Sequence, residues 1–169
     1  MKVPGPAELE KLAVRVGALL LANGQKLATA ESCTGGWVAQ SLTAISGSSE
    51  WFERGFVTYS NDAKCEMLGV TEQTLVQHGA VSEPTAVAMA VGALQHSKAD
   101  WALAITGIAG PTGGSPDKPV GTVCFAWAGP GQALSVETCH FSGDRQWVRL
   151  LSVAHALNGL LQRAAVVVA

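Results

Sequence analysis

TAESCTGGW, Thr29–Trp37, is the stretch from which the rest of the chain can be read. The residues leading into it, Lys26–Ala30, are small and apolar and predict a strand. Those following it, Trp37–Ile45, carry apolar side chains at helical spacing. Between the two lie Ser32, Cys33, Thr34, Gly35 and Gly36. A strand that turns through hydroxyls and glycines into a helix leaves backbone N–H groups converging on one place. Gly35 and Gly36 carry no Cβ, so a ligand or reacting group can approach the main chain closely. Such a place suits an anion, either a bound phosphate or the oxyanion of a tetrahedral intermediate. The same residues also suit a plain N-cap and turn.

Working outward, Leu9, Leu12, Ala13, Val16, Leu19 and Leu20 recur at helical spacing over Glu8–Ala22, and Asn23-Gly24 closes that helix. RGFVTYS, Arg54–Ser60, is rich in β-branched and aromatic residues and predicts a second strand. Asn61 or Asp62 then caps a helix over Ala63–Leu68, and Thr71 caps a short one to Gln77. Ser82 caps a long helix, Glu83–Ser97, with Pro84 in its first turn. DWALAIT, Asp100–Thr106, is continuously apolar, as befits a strand covered on both faces. Gly107–Gly121 is a long loop of glycine and proline. Thr122–Trp127 and Leu134–Phe141 flank the turn AGPGQ and predict a hairpin. Ser142-Gly143-Asp144 caps a final helix from Arg145 to about Val166. The pattern predicts one domain over residues 1–169. It is a three-layer α/β/α sandwich with a mixed, mostly parallel sheet and a C-terminal hairpin.

Composition narrows the partners. With 48% hydrophobic and 14% charged residues the chain has the material for a packed core. A net charge of -2 without any run of Lys or Arg argues against nucleic acid or an anionic membrane as the main partner. No apolar stretch is long enough to span a bilayer, and MKVPGPAELEKLA lacks the apolar region of a signal peptide, so a cytoplasmic location is expected. Cys33, Cys65, Cys124 and Cys139 form no C-x-x-C pair, which leaves zinc and thioredoxin-like chemistry without a motif. Alanine-rich helices and five tryptophans leave apolar surface for a homo-oligomer, expected to be a dimer.

Ligands in open α/β sheets bind beyond the carboxyl ends of the strands. Those ends deliver Ser32–Gly36, Tyr59–Asn61 and Thr106–Gly110, all polar or glycine-rich after apolar runs. Ser32 lies at a strand-to-helix turn but fits neither G-x-S-x-G nor S-x-x-K, so any base must come from elsewhere in the chain. His78, His96, His140 and His155 all fall away from the strands' carboxyl ends. Of the lysines, Lys2 and Lys11 belong to the first helix and its lead-in. Lys26 stands roughly 20 Å of extended chain from Ser32, and Lys98 is at an amino end. Lys64 and Lys118 remain. A cation in the first turn of a helix, as Lys64 is, opposes the helix dipole, which favours the neutral amine; a solvated surface lysine is the alternative. Cys33 is a rival nucleophile, acidified if it sits at a helix N-terminus, but without a well-placed histidine buried packing is the stronger reading. Tyr59 is placed to bond a Ser–Lys pair or to pack, and Thr106 to donate to a ligand or to cap its strand. Glu31 alternates away from Ser32 and is read as structural. Arg145 is the late cation with reach to a phosphate or carboxylate.

AESCTGG at Ala30–Gly36 resembles the CinA C-terminal family. So do VTYSNDAK at Val57–Lys64, GAVSEPTA at Gly79–Ala86, TGIAGPTGG at Thr106–Gly114 and KPVGTV at Lys118–Val123. The likeness runs through essentially the whole chain, in the form of the family's stand-alone members, which include the PncC nicotinamide-nucleotide amidases. It implies hydrolysis of nicotinamide mononucleotide, a pyridine mononucleotide, to nicotinate mononucleotide and ammonia, with no cofactor and no metal. It matches the nucleophile to Ser32 and the general base to Lys64, with Tyr59, Thr106 and Arg145 in support. Cys33, Thr34, Gly35, Gly36, Asn61, Gly107, Gly110 and Arg145 are then expected to bind the substrate. The competing reading is a non-catalytic module of the same family that binds a nucleotide or a protein and is linked to competence.

Overall fold

Strand β1, Leu27–Glu31, is buried along its whole length and lies between β2, Phe52–Val57, and β3, Trp101–Gly107, parallel to both. Strand β4, Thr122–Ala128, runs antiparallel to β3, and β5, Leu134–His140, antiparallel to β4. The sheet order is β2-β1-β3-β4-β5, with β4 alone opposing the common direction. The computed structural model describes residues 4–165. Lys2 and Val166, the expected end of the last helix, lie outside them.

Among the described residues six α-helices cover the two faces. They are α1, Pro6–Asn23; α2, Trp37–Thr43; α3, Asn61–Leu68; α4, Glu72–His78; α5, Glu83–Gln95; and α6, Arg145–Ala164. Side chains alternate across each strand, and the two faces of the sheet differ in size. One face carries Leu27, Leu103, Ile105, Phe125 and Trp127 against α1, α2 and α6. The other is nearly all alanine — Ala28, Ala30, Ala102, Ala104, Ala126 and Ala128 — and lets α5 lie close with Ala86, Met89, Ala90 and Ala93. Strand β3 is buried on both faces, as its unbroken apolar run predicts. Close packing continues where α5 meets α3. A Cβ on Gly92 would stand 2.0 Å from the Leu68 carbonyl oxygen, so glycine there sets how α3 lies on the domain. Among the described residues no helix is long and apolar enough to cross a membrane.

Boundaries shift where the sequence offered several equivalent signals. Strand β2 occupies Phe52–Val57 instead of Arg54–Ser60, and a 3-10 turn at Ser48–Glu50 precedes it. The chain leaves the sheet at Val57, which makes Ser60, not Asn61 or Asp62, the N-cap of α3. Ser60 is extended, and its Oγ accepts from the Ala63 amide at 3.0 Å. Helix α5 ends at Gln95, two residues before the expected Ser97. The hairpin forms as expected, with a short 3-10 turn at Pro130–Gln132 in its connection. Asp144 caps α6 by accepting from the Trp147 amide.

Candidate active site

The carboxyl ends of the three parallel strands and the first turn of α3 meet at Ser32. Its amide donates to the Ile105 carbonyl at 3.0 Å, which extends the β1–β3 ladder by one residue and fixes the side chain at the sheet's rim. Ser32 is 8% exposed and Lys64 1%. Lys64 Nζ is 3.0 Å from Ser32 Oγ, 2.9 Å from the Thr58 carbonyl oxygen and 3.5 Å from that of Tyr59. Among the described residues no carboxylate pairs with it. Burial without a counter-charge holds the Lys64 amine below the ordinary lysine value. Desolvation is the main cause of the shift, ahead of any opposition from the dipole of α3. A neutral amine has two N–H groups and one lone pair. The two carbonyls can take the hydrogens, leaving the lone pair for the Ser32 hydroxyl.

Lys118, the other lysine past a strand end, is committed elsewhere, donating from Nζ to the His78 carbonyl at 2.7 Å. His96 bonds the Gly92 carbonyl and His155 bonds Glu137, both away from Ser32.

The glycine turn differs from its expected form. Glu31, fully buried at the end of β1, takes up the first-turn amides of α2. Its carboxylate accepts from Val38 N at 2.9 Å, Ala39 N at 3.1 Å and Thr34 Oγ1 at 2.7 Å. The anion at this helix N-terminus is therefore the protein's own. Two amides of the turn itself are left over. Gly35 N donates to Ser32 O and Trp37 N to Thr34 O, whereas among the described residues the amides of Thr34 and Gly36 donate to no acceptor. Gly35 and Gly36 sit at φ of 60° and 97°, and this backbone conformation, more than lack of room, is what requires glycine.

Of the two readings of Cys33, buried packing holds and an acidified thiol does not. Cys33 is buried just ahead of α2, and desolvation pushes its thiol up to about 12. The helix N-terminus that was to acidify it is already occupied by Glu31. The Thr34 hydroxyl is likewise spent on Glu31.

The Tyr59 hydroxyl does not touch the Ser–Lys pair; only its carbonyl approaches Lys64. The hydroxyl accepts from Arg145 Nη2 at 2.9 Å, and Arg145 Nη1 donates to the Gly110 carbonyl at 2.9 Å. Arg145 thus bridges the segment after β2 to the glycine loop after β3. Thr106, buried at the end of β3, donates to the Ala80 carbonyl at 2.7 Å and so holds the α4–α5 connection against the sheet. Gly107 is half-buried beside it, and Asn61 is exposed at the first position of α3.

Arg149 was not singled out from the sequence. It donates from Nε to the Cys33 carbonyl and from Nη2 to the Thr34 carbonyl, each at 3.0 Å, and lies over the Trp37 ring. It braces the turn that carries Ser32. Its four-residue spacing from Arg145, which puts both on one face of α6, is the signal that was available. With Gly35, Trp37, Gln40 and Gln146 the two arginines line a cleft of about 430 Å³. The whole arrangement offers a hydroxyl paired with a buried amine, unoccupied backbone donors beside it, and a cationic cleft adjoining.

Residues 9–164 match the CinA C-terminal domain family. The chain is 58% identical over 158 residues to the nicotinamide-nucleotide amidohydrolase PncC of Escherichia coli K12, covering 93% of this chain and 95% of that protein. It is 51% identical to the protein of the same name in Pseudomonas putida, over 89% of this chain and 94% of that one. The crystal structure of the competence/damage inducible protein CihA from Agrobacterium tumefaciens superposes with a TM-score of 0.90 at 46% identity. That match covers 96% of this chain and 98% of the other.

Proposed function

The chain belongs to the CinA C-terminal domain family, and from that premise we propose that it is a nicotinamide-nucleotide amidohydrolase working through Ser32 and Lys64. The single observation that carries the reading is the 3.0 Å contact between Lys64 Nζ and Ser32 Oγ, made by a lysine that is buried and has no carboxylate partner. The names of its relatives in Escherichia coli and Pseudomonas putida support the substrate.

The neutral Lys64 amine takes the Ser32 proton as Oγ attacks the carboxamide carbon of nicotinamide mononucleotide. The Thr34 and Gly36 amides, free of other partners, receive the developing oxyanion. Lys64, now an ammonium held by the Thr58 and Tyr59 carbonyls, returns the proton to the amide nitrogen as the C–N bond breaks and ammonia leaves. Water, deprotonated by the same amine, then attacks the acyl ester on Ser32; Lys64 passes that proton to Ser32 Oγ as the ester C–O bond breaks, which releases nicotinate mononucleotide and restores the neutral amine. Arg145, at the cleft beside the turn, is suited to the substrate's phosphate, and Arg149 keeps the turn in place. The reaction would return a pyridine nucleotide to use in the cytoplasm.

The test is ammonia release from nicotinamide mononucleotide by the purified chain and by its Ser32→Ala and Lys64→Ala variants. Activity in the parent and its loss in both variants is the expected result. Binding of the nucleotide without ammonia, unchanged by removal of the Ser32 hydroxyl, would favour the non-catalytic module instead.

A further inference from the structure

Glu137 and Cys139 are two residues apart on β5 and so project from the same face of the sheet. Helix α6 lays His155 over that face, its ring centroid 4.6 Å from that of Phe125. The three donor atoms converge. His155 Nε2 is 2.9 Å from Glu137 Oε2 and 3.5 Å from Cys139 Sγ, and all three lie within 4.8 Å of one another. None of these residues takes part in the amidase site.

Carboxylate and thiol both address the same ring nitrogen. That rules out a relay in which the carboxylate holds one nitrogen while the thiol uses the other. Besides the ion pair between His155 and Glu137, three donor atoms gathered at one point match the arrangement of ligands around a common ion. A tetrahedral zinc, with Zn–S of about 2.3 Å and Zn–N of about 2.05 Å, holds its sulfur and nitrogen about 3.5 Å apart, the separation seen here. The matching N···O separation is about 3.3 Å, so Oε2 needs to swing out by only a few tenths of an ångström. The other carboxylate oxygen, Oε1, accepts from Arg163 Nη2 at 2.6 Å, an outer bond of the kind that fixes a ligating carboxylate. The His155 and Glu137 side chains are 32% and 41% exposed, and His155 borders a cleft between α1 and α6, so the cluster is open to ions and water.

We propose that Glu137, Cys139 and His155 form a binding site for a thiophilic divalent cation such as zinc, separate from the amidase site, with the fourth position left to solvent. On binding, the Cys139 thiol releases its proton to solvent as the sulfur–metal bond forms. Glu137 Oε2 exchanges its contact with His155 for the cation, and His155 ligates through Nε2 with its proton on Nδ1. The ion pins the edge strand β5 to α6. The motif is invisible along the chain because its third ligand comes from another element.

The test is titration of the full chain with Co(II), read by the thiolate-to-cobalt charge-transfer absorption, followed by competition with Zn(II). Saturation at a single equivalent and displacement by zinc are expected. Cys139→Ser should abolish the band while circular dichroism and ammonia release stay unchanged, and Glu137→Gln should weaken cobalt binding at least tenfold. Absence of the band in the parent chain, or its survival in Cys139→Ser, would overturn the proposal.

Discussion

Lys64 and Ser32 are separated by 32 residues of sequence and by 3.0 Å between Nζ and Oγ. A general base in direct contact with its nucleophile is worth about 10²- to 10⁴-fold in rate. Lys64→Met, which keeps the volume, is therefore expected to lower kcat by about that factor. Ser32→Ala should fall at least as far. Lys118→Ala should leave kcat near the parent value, since its amine is bound to the His78 carbonyl. Steady-state ammonia release checks all three.

The direction of the Lys64 shift gives a pH dependence of activity and one of stability. Activity should rise with pH as the amine loses its proton, with a midpoint below the ordinary lysine value of 10.5, and this limb should vanish in Lys64→Met. Below the lowered folded value Lys64 is charged in both states, and the folded state bears the full cost of burying the charge. Between the lowered folded value and 10.5 the unfolded chain binds more protons than the folded one, so stability rises with pH. Lys64→Met should accordingly be more stable than the parent at low pH, and the gap should close as pH rises through that window. Urea midpoints at a series of pH values measure it.

Cys33 should be inert. With its thiol held at about 12, almost none is thiolate at neutral pH. Iodoacetamide should label the half-buried Cys65 and Cys139 before Cys33, and Cys33→Ala should retain most of the amidase activity. Mass spectrometry of the labelled peptides, paired with the rate, decides the point.

Arg145 has no carboxylate among its partners in the described residues. Arg145→Ala is expected to raise KM for nicotinamide mononucleotide about ten- to a hundredfold, the worth of one charge-assisted hydrogen bond of ~1.5–3 kcal/mol. The nucleoside lacking the phosphate should be turned over by parent and variant with similar KM. A proportional loss on both substrates would assign Arg145 to holding Tyr59 and Gly110 instead.

Glu31→Ala removes the acceptor of two α2 amides and of the Thr34 hydroxyl, all buried or partly buried. A loss of about 2–4 kcal/mol in stability is expected from stranding those donors. Activity should fall as well, because the turn bearing the nucleophile would lose its anchor. Thermal unfolding and kcat, measured together, test both parts.

Features that depend on short stretches were legible in the sequence. The unbroken apolar run of β3 announced a strand covered on both sides, and the passage from β1 through Gly35 and Gly36 marked the site. Ser60, Asn61 and Asp62 are all good cappers, so local chemistry could not choose among them; the departure of the chain from the sheet did. Glu31 was rightly set apart from Ser32, but its grip on α2 depends on the path of the turn. Arg149 reaches Cys33 and Thr34 from the far end of the chain; its spacing from Arg145 signals a shared helix face but not a bond of that span. Cys33 was legible as a packing thiol, since no histidine was placed beside it; that Glu31 already occupies the helix start depends on the path of the turn.

Besides Ser32, the partners that orient the Lys64 amine among the described residues are main-chain oxygens, from Thr58 and Tyr59. The proposed base is thus wired to the path of the backbone and is indifferent to which side chains hang from those two positions. Relatives or engineered variants can exchange residues 58 and 59 to reshape the entrance without retuning the proton acceptor, whereas an insertion or deletion between β2 and α3 would silence it with every reacting side chain still present.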